Sequence, residues 1–431
     1  MGIQDEELDS ALSDILRQRE FHVSDSLSIG HGKPLHIVKG RMQYLYSKDG
    51  NKYLDLVNNV SHVGHCNPHV VKAGQRQMAL LNTNTRYIYK GLTDYLERLS
   101  NTLPELIKVG FLVNSGSEAN ELAIRLARSY TKKNDVVVVD GAYHGNTGML
   151  IDLSPYKFKG QGGKGKPEEW VHVVPTPDKF RNPSTDYSDD FQKAIGNVDS
   201  IAAIIIESML SCAGQIPLPE GYLSEVYEII RSKGGLCIAD EVQVGFGRIG
   251  SHMWAFAEQN VVPDIVVMGK PIGNGHPMAA VFTTREIANA FEGMEYFSTF
   301  GGNPVSCAIG MAVLDVIEDD NLINHAKLMG DLFIKKLTTL KEEFKLIGDI
   351  RGKGLFLGIE LIKDHETLEP APKEAKILID KLLNRGILLS IDGPHKNVIK
   401  IKPPLVITEK DVEFTIDALR ESLEEVDNLI T

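Results

Sequence analysis

Two short apolar runs, each closed by a charged group, constrain this chain more than anything else in it. Leu236-Cys237-Ile238-Ala239 runs into Asp240, and Asp264-Ile265-Val266-Val267-Met268 is followed by Gly269 and Lys270. Apolar runs this short, set between turn signals, read as buried strands. Comparable runs stand at Gly110–Val113, Asp135–Val139, Ile201–Ile206 and Ala279–Thr283, separated by amphipathic segments such as Glu118–Tyr130 and Tyr222–Ser232. Strands spaced by helices predict βαβ units and an α/β fold, with a mostly parallel sheet flanked by helices. Ligands of such sheets bind beyond the carboxyl ends of the strands, so Asp240 and Lys270 are expected to face one crevice.

Near Val313 the pattern changes. A long helical region to about Phe344 leads into Arg351–Glu360, another helix, the run Val398–Ile401 and a closing helix. This reads as a separate small α+β lobe, completed by the N-terminal residues. The expected partition is 1–50 as the N-terminal segment of the small domain, 51–312 as the large domain and 313–431 as the C-terminal small domain, which suits a chain of 431 residues. A net charge of −12 disfavours nucleic acid as a partner. No apolar run reaches the length of a membrane span, and the start Met1–Glu7 is acidic, unlike a signal peptide, so no membrane partner is expected. The four cysteines, Cys66, Cys212, Cys237 and Cys307, are far apart and show no CxxC pair. They fit a reducing, cytoplasmic setting and suggest no metal site. The glycine-rich tract Lys159–Lys166 lacks the GxxxxGK[ST] spacing and a preceding strand, and is expected to be a mobile surface loop.

An acid and an amine at strand ends serve a structural salt bridge as readily as a reaction. They are also what pyridoxal phosphate requires: Lys270 to form its Schiff base, and Asp240 to keep the pyridine nitrogen protonated as an electron sink. Asn114-Ser115-Gly116-Ser117-Glu118-Ala119-Asn120 follows a strand and opens a helix. Ser115 and Glu118 have capping-box spacing, Gly116 admits a close backbone approach, and free N–H groups with the Ser115 and Ser117 hydroxyls suit a phosphate. Tyr143 and His144 follow the Asp135–Val139 run, placing an aromatic where it can stack on a planar ring. Glu207 ends the Ile201–Ile206 run, within reach of the ring or a neighbouring lysine. Gln243 is suited to donate to the ring's phenolic oxygen. Ser298-Thr299-Phe300-Gly301-Gly302-Asn303-Pro304 is a small-residue loop able to close over a phosphate.

Taken together and in order, these segments, with Asp240-Glu241-Val242-Gln243-Val244-Gly245-Phe246-Gly247-Arg248, resemble the class-III aminotransferases, which are fold-type I pyridoxal-phosphate enzymes. The resemblance runs from about Leu35 to the C-terminus. It implies a homodimer with two shared active sites. Lys270 is then the Schiff-base lysine, Asp240 the pyridine-nitrogen partner and Gln243 the phenolate partner. Gly116 and Ser117 bind the phosphate, Tyr143 stacks on the ring, and Thr299 reaches the phosphate of the other subunit's cofactor.

Within that family Asn58–Cys66, Asn82–Tyr87, Ser154–Phe158 and Leu389–Pro394 are similar to the ethanolamine-phosphate and phosphohydroxylysine phospho-lyases. These eliminate phosphate from an amino-phosphate instead of transferring its amino group. Two departures from the transaminase pattern agree. Lys400 stands where many class-III transaminases place a carboxylate-binding arginine, and Cys212 where they often place the glutamate that gates it. Ser61, Arg86 and Lys400 are expected to line a small polar pocket for the phosphate of a primary-amine substrate. The alternative is an amine transaminase that passes the amino group to a keto acid such as pyruvate. An oxidoreductase would need GxGxxG after the first strand, which the chain lacks.

Overall fold

Because each run is apolar on both sides, its residues can be buried only between two helical layers. The computed structural model describes residues 10–430 apart from 31, 185, 292 and 294, so the acidic start Met1–Glu7 lies outside the described residues. The runs become the strands Val109–Val113, Asp135–Val139, Ile201–Glu207, Leu236–Asp240, Ile265–Met268 and Ala279–Thr283 of one sheet. A seventh strand, Val171–Val174, joins at the edge beside Asp135–Val139. Only Ala279–Thr283 runs antiparallel to its neighbours. Alternate residues point to opposite faces. Ile204, Ile206 and Val266 join a core that includes Leu223, Val226 and Ile230 of the helix Tyr222–Ser232. Ala203, Ile205 and Val267 join another, built on Ala119, Leu122 and Leu126 of the helix Gly116–Thr131. The expected α/β architecture is the one observed.

The long helical region expected from Val313 is two helices, Pro304–Asp319 and Leu322–Glu343. The first starts earlier than the apolar pattern suggested. Asn303 accepts the Ser306 N–H at 2.9 Å and Pro304 fills the first helical position, a strong start signal. This helix passes through 312/313 without a break. An N-terminal sheet, Ile37–Arg41, Tyr44–Ser47 and Lys52–Asp55, takes its fourth strand, Ile387–Leu388, from the far end of the chain. A second small sheet is antiparallel and comprises Ile347–Lys353, Phe356–Leu361, Val398–Ile401 and Ser390–Asp392. The tract Lys159–Lys166 is exposed, with Lys159 paired to Asp140 at 2.8 Å. Among the described residues no helix is long and apolar enough to cross a membrane.

One buried cation clamps these parts together. The turn after Asp240 brings Phe246 into the left-handed region (φ 59°), followed by Gly247 and the fully buried Arg248. Its Nη1 donates to the carbonyls of Leu355 (3.1 Å) and Pro403, and its Nη2 to His62 Nδ1 (3.1 Å). A guanidinium only donates, so His62 Nδ1 accepts, and His62 Nε2–H donates to the Phe246 carbonyl at 2.6 Å. Burial, with Arg248 alongside, holds His62 well below the ordinary histidine range, in keeping with that neutral tautomer. Arg248→Met would leave two carbonyls and a ring nitrogen without their donor. It should reduce unfolding stability by about 2–4 kcal/mol, read as a lower urea midpoint. A loss below about 0.5 kcal/mol would show that the clamp contributes little.

Candidate active site

Register decides what meets at the strand ends. Asp240 lies opposite Glu207 on one side and Val267 on the other, so two carboxylates and the turn that follows Met268 converge. Asp240 is only 3% exposed. Its Oδ2 accepts from His144 Nδ1 and Asn120 Nδ2, both at 2.8 Å, and its Oδ1 accepts the Val242 N–H at 3.1 Å. Three donors thus satisfy a buried carboxylate whose oxygens would otherwise lack hydrogen bonds. Asn120 also donates to the His144 carbonyl at 2.7 Å, so one amide sets both the acid and the histidine. Sequence reasoning missed Asn120. Its signal was an amide on the otherwise apolar stripe Ala119, Leu122, Ala123 of the helix Gly116–Thr131.

Lys270 opens a one-turn 3-10 helix, Lys270–Gly273, with φ at 34°, a strained value for a side chain-bearing residue. Among the described residues no hydrogen bond or ion pair engages its amine. Burial lowers its pKa, against the opposing pull of Asp240, Cys212 and Glu207, and a lysine biased toward neutrality is a nucleophile and a base. Asn274, at the end of the same turn, accepts the Val63 N–H and donates to the Gly64 carbonyl, both at 2.9 Å. That pair of bonds fastens the 58–66 loop to the lysine turn.

Ser115 caps the helix Gly116–Thr131 by accepting the Glu118 N–H at 3.2 Å, and Glu118 Oε2 accepts the Asn114 N–H at 2.7 Å. The N–H groups of Gly116 and Ser117 have no acceptor within the helix and form an anion site. A Cβ on Gly116 would lie 3.1 Å from both methyls of Val242, and one on Gly269 3.3 Å from the same side chain. Val242, another residue the sequence reading missed, therefore packs between the anion site and the lysine turn.

Tyr143 is half-buried and meets Tyr156 edge-on at 5.9 Å. Glu207 does not pair with a lysine. It accepts from Ser211 Oγ and N–H, and its Oε1 accepts the Tyr143 N–H at 3.4 Å, so it holds the aromatic's backbone. Burial raises its pKa. Gln243 Oε1 accepts from Asn59 Nδ2 and lies 3.5 Å from Lys402 Nζ, which leaves its NH2 group as a donor.

The residues expected to line the substrate pocket fall in three places. Lys400 lies on the wall next to Cys212 but is paired with Asp392 at 2.9 Å. Ser61 Oγ lies 3.0 Å from His65 Nδ1, whose Nε2 donates to the buried Asp55 at 2.6 Å. Arg86 is held at the surface by Glu295 (3.3 Å) and lies 4.4 Å from the Phe297 ring centroid. It shares that exposed face with Thr299, and the structure does not bring it beside Lys400. Packing by itself demands a small residue in the loop Phe300–Asn303: a Cβ on Gly301 would meet the Leu112 carbonyl at 2.1 Å. Lys402, which sequence reasoning passed over, is fully buried two residues beyond Lys400 on the same face.

This arrangement brings free N–H groups at a helix start, a buried carboxylate, a buried amine and an amide donor around one crevice. The two donors on Asp240, and the unpartnered Nε2 of the buried His144 behind it, fit a cofactor with a protonated ring nitrogen. Comparison with known proteins agrees. The class-III aminotransferase family matches residues 28–423. An alanine–glyoxylate aminotransferase 2-like protein of Drosophila melanogaster is 47% identical, over 95% of this chain and 87% of its own length. An ethanolamine-phosphate phospho-lyase homologue of Caenorhabditis elegans is 44% identical, over 95% and 93%. Among solved structures, an Arthrobacter phospholyase in complex with phosphoethanolamine superposes with a TM-score of 0.91 at 37% identity, over 95% of this chain and 99% of that one. The chain belongs to the class-III aminotransferase family and is a pyridoxal-phosphate enzyme.

Proposed function

We propose that the enzyme is a phospho-lyase that releases phosphate and ammonia from a primary-amine phosphate such as phosphoethanolamine. The observation that carries this reading is the charge of the wall facing Lys270. Lys400 and Lys402 stand there against the single carboxylate of Asp392, next to Cys212, whose thiol burial pushes up to about 12 and so keeps neutral. Two amines beside one carboxylate suit a phosphate, whose arrival favours the protonated form of Lys402. A transaminase that alternates substrates benefits instead from a carboxylate-binding arginine with a gating glutamate. Transfer of the amino group to a keto acid such as pyruvate is the second reading, favoured by the name of the Drosophila relative.

Pyridoxal phosphate, when bound, supplies an electrophilic aldehyde and an electron sink. In this reading the N–H groups of Gly116 and Ser117, with the Ser115 and Ser117 hydroxyls, hold its phosphate. Tyr143 and Val242 offer apolar faces to its ring, with His144 and Glu207 supporting Asp240 and Tyr143. Asp240, hydrogen-bonded by His144 and Asn120, would hold a proton on the ring nitrogen. Gln243 donates its NH2 to the phenolic oxygen. Lys270 carries the cofactor covalently, and its freed amine removes a proton from the amine-bearing carbon of the substrate. The neighbouring C–O bond then breaks and phosphate departs with the bonding pair; water completes the release of ammonia and an aldehyde.

The same reading includes a homodimer. Tyr87, Ile88 and Phe300 are exposed apolar residues on the face that carries Arg86 and Thr299. A second copy would bury that face and bring Thr299 and Arg86 to its partner's crevice. The free thiols support a reducing, cytoplasmic setting.

The function is tested by measuring phosphate and ammonia from phosphoethanolamine and phosphohydroxylysine beside alanine formed from pyruvate. Phosphate release is expected; amino transfer without it would replace the lyase with the transaminase. Lys270→Ala should abolish turnover and leave fold and assembly intact. Borohydride reduction followed by peptide mapping should label Lys270, and a label on another lysine would refute its role. Asp240→Asn should lose on the order of 10²–10⁴ in rate while keeping cofactor visible by absorbance. A variant within a few-fold of the parent would make Asp240 a merely structural acid.

A further inference from the structure

Lys402 has the environment of a charge with its partner missing. It is 2% exposed. Its Nζ makes one long contact, 3.5 Å to Gln243 Oε1, and lies 4.9 Å from the Phe356 ring centroid. Among the described residues no carboxylate comes within ion-pair distance of it. Lys400, on the same face of the Val398–Ile401 strand, already has Asp392 at 2.9 Å. The charged and titratable groups around Lys402 are Lys400, Asp392, Cys212 and Lys270, which are the walls of the crevice. An ammonium has three donors, and at most one is used here. Burying it without a counter-charge is unfavourable unless a ligand supplies the charge. The cation–π contact with Phe356 and the amide oxygen of Gln243 hold it in place without neutralising it.

We propose that Lys402, rather than Lys400, is the residue that binds the phosphate of the amine substrate. This rests on the phospho-lyase reading and names its specificity residue. Lys400 and Asp392 form a neutral pair beside the site, and Lys402, once protonated, contributes the net charge. Burial, with Lys400 close by, pulls the free amine down to about 7, and an arriving dianion favours its protonated form. The ligand is a phosphomonoester dianion, for which inorganic phosphate is a minimal stand-in.

The experiment measures the dissociation constant of inorganic phosphate for the cofactor-loaded enzyme by calorimetry, apart from any turnover. Lys402→Met should weaken phosphate by about tenfold or more, the loss expected for one charge-assisted contact. Lys400→Met combined with Asp392→Asn, which removes the neutral pair whole, should stay within about threefold, and Lys402→Arg should retain most of the affinity, since it keeps the charge. Should Lys402→Met not load cofactor, Lys402→Gln, which keeps a donor toward Gln243, is compared with Lys402→Arg in its place. Binding within about twofold of the parent in Lys402→Met or Lys402→Gln, or a larger loss in the Lys400→Met, Asp392→Asn double variant, overturns the assignment. The outcomes separate from those of the lyase assay. A parent that transfers amino groups without releasing phosphate, yet loses phosphate binding in Lys402→Met, keeps the Lys402 site and loses the lyase reading. A parent that releases phosphate while Lys402→Met binds it normally keeps the reading and loses the site.

Discussion

A carboxylate excluded from water at the end of a parallel strand is the constraint from which this site is built. A buried carboxylate needs hydrogen-bond donors, and the chain supplies them from three places. Asn120 comes from the helix Gly116–Thr131, His144 from the loop after Asp135–Val139, and the Val242 N–H from the turn that leaves the strand. Each donor sits in a segment that has a second task. The helix of Asn120 presents the anion site, the loop of His144 carries Tyr143, and the turn of Val242 carries Gln243. Satisfying one buried acid therefore fixes most of the crevice.

The second constraint is also a buried charge, of the opposite sign. Arg248 joins the turn after Asp240 to Leu355, Pro403 and His62, drawing the N-terminal loop and the C-terminal sheet onto the large sheet. Two of these contacts fall next to wall residues: Pro403 follows Lys402, and His62 follows Ser61. The clamp lies outside the reacting groups, yet it sets the wall on which substrate choice depends. Helical packing alone would leave that wall free to shift, since it belongs to a different sheet from Lys270 and Asp240.

The large sheet was legible in the sequence because its strands are buried on both faces, so their apolar runs are unbroken. Val171–Val174 escaped notice as an edge strand whose pattern is interrupted by His172. Lys270, Asp240, Gly116 and Tyr143 were legible because their motifs sit at strand ends and a helix start. Asn120 and Val242 were not, since each acts through packing with segments distant in sequence. Arg86 was grouped with Lys400 by chemistry alone, and only the fold shows that it faces outward beside Glu295. Lys400 and Lys402 are alike in the strand alternation. What distinguishes them is Asp392, which a separate strand places next to Lys400 and not Lys402.

Asn274 reaches from the lysine turn to the backbone of Val63 and Gly64, taking an N–H from one and giving a proton to the carbonyl of the other. Two bonds from one amide fix orientation as well as separation. Loop and turn are thus joined as one unit: the 58–66 segment, with Ser61 and Asn59 upon it, is fixed relative to the turn that bears Lys270. The strained peptide, whose φ is 34°, thus opens a turn whose closing side chain is anchored on the backbone of another part of the crevice wall. The reach of the amine toward its substrate is in this sense geared to the position of the loop that helps to shape the pocket.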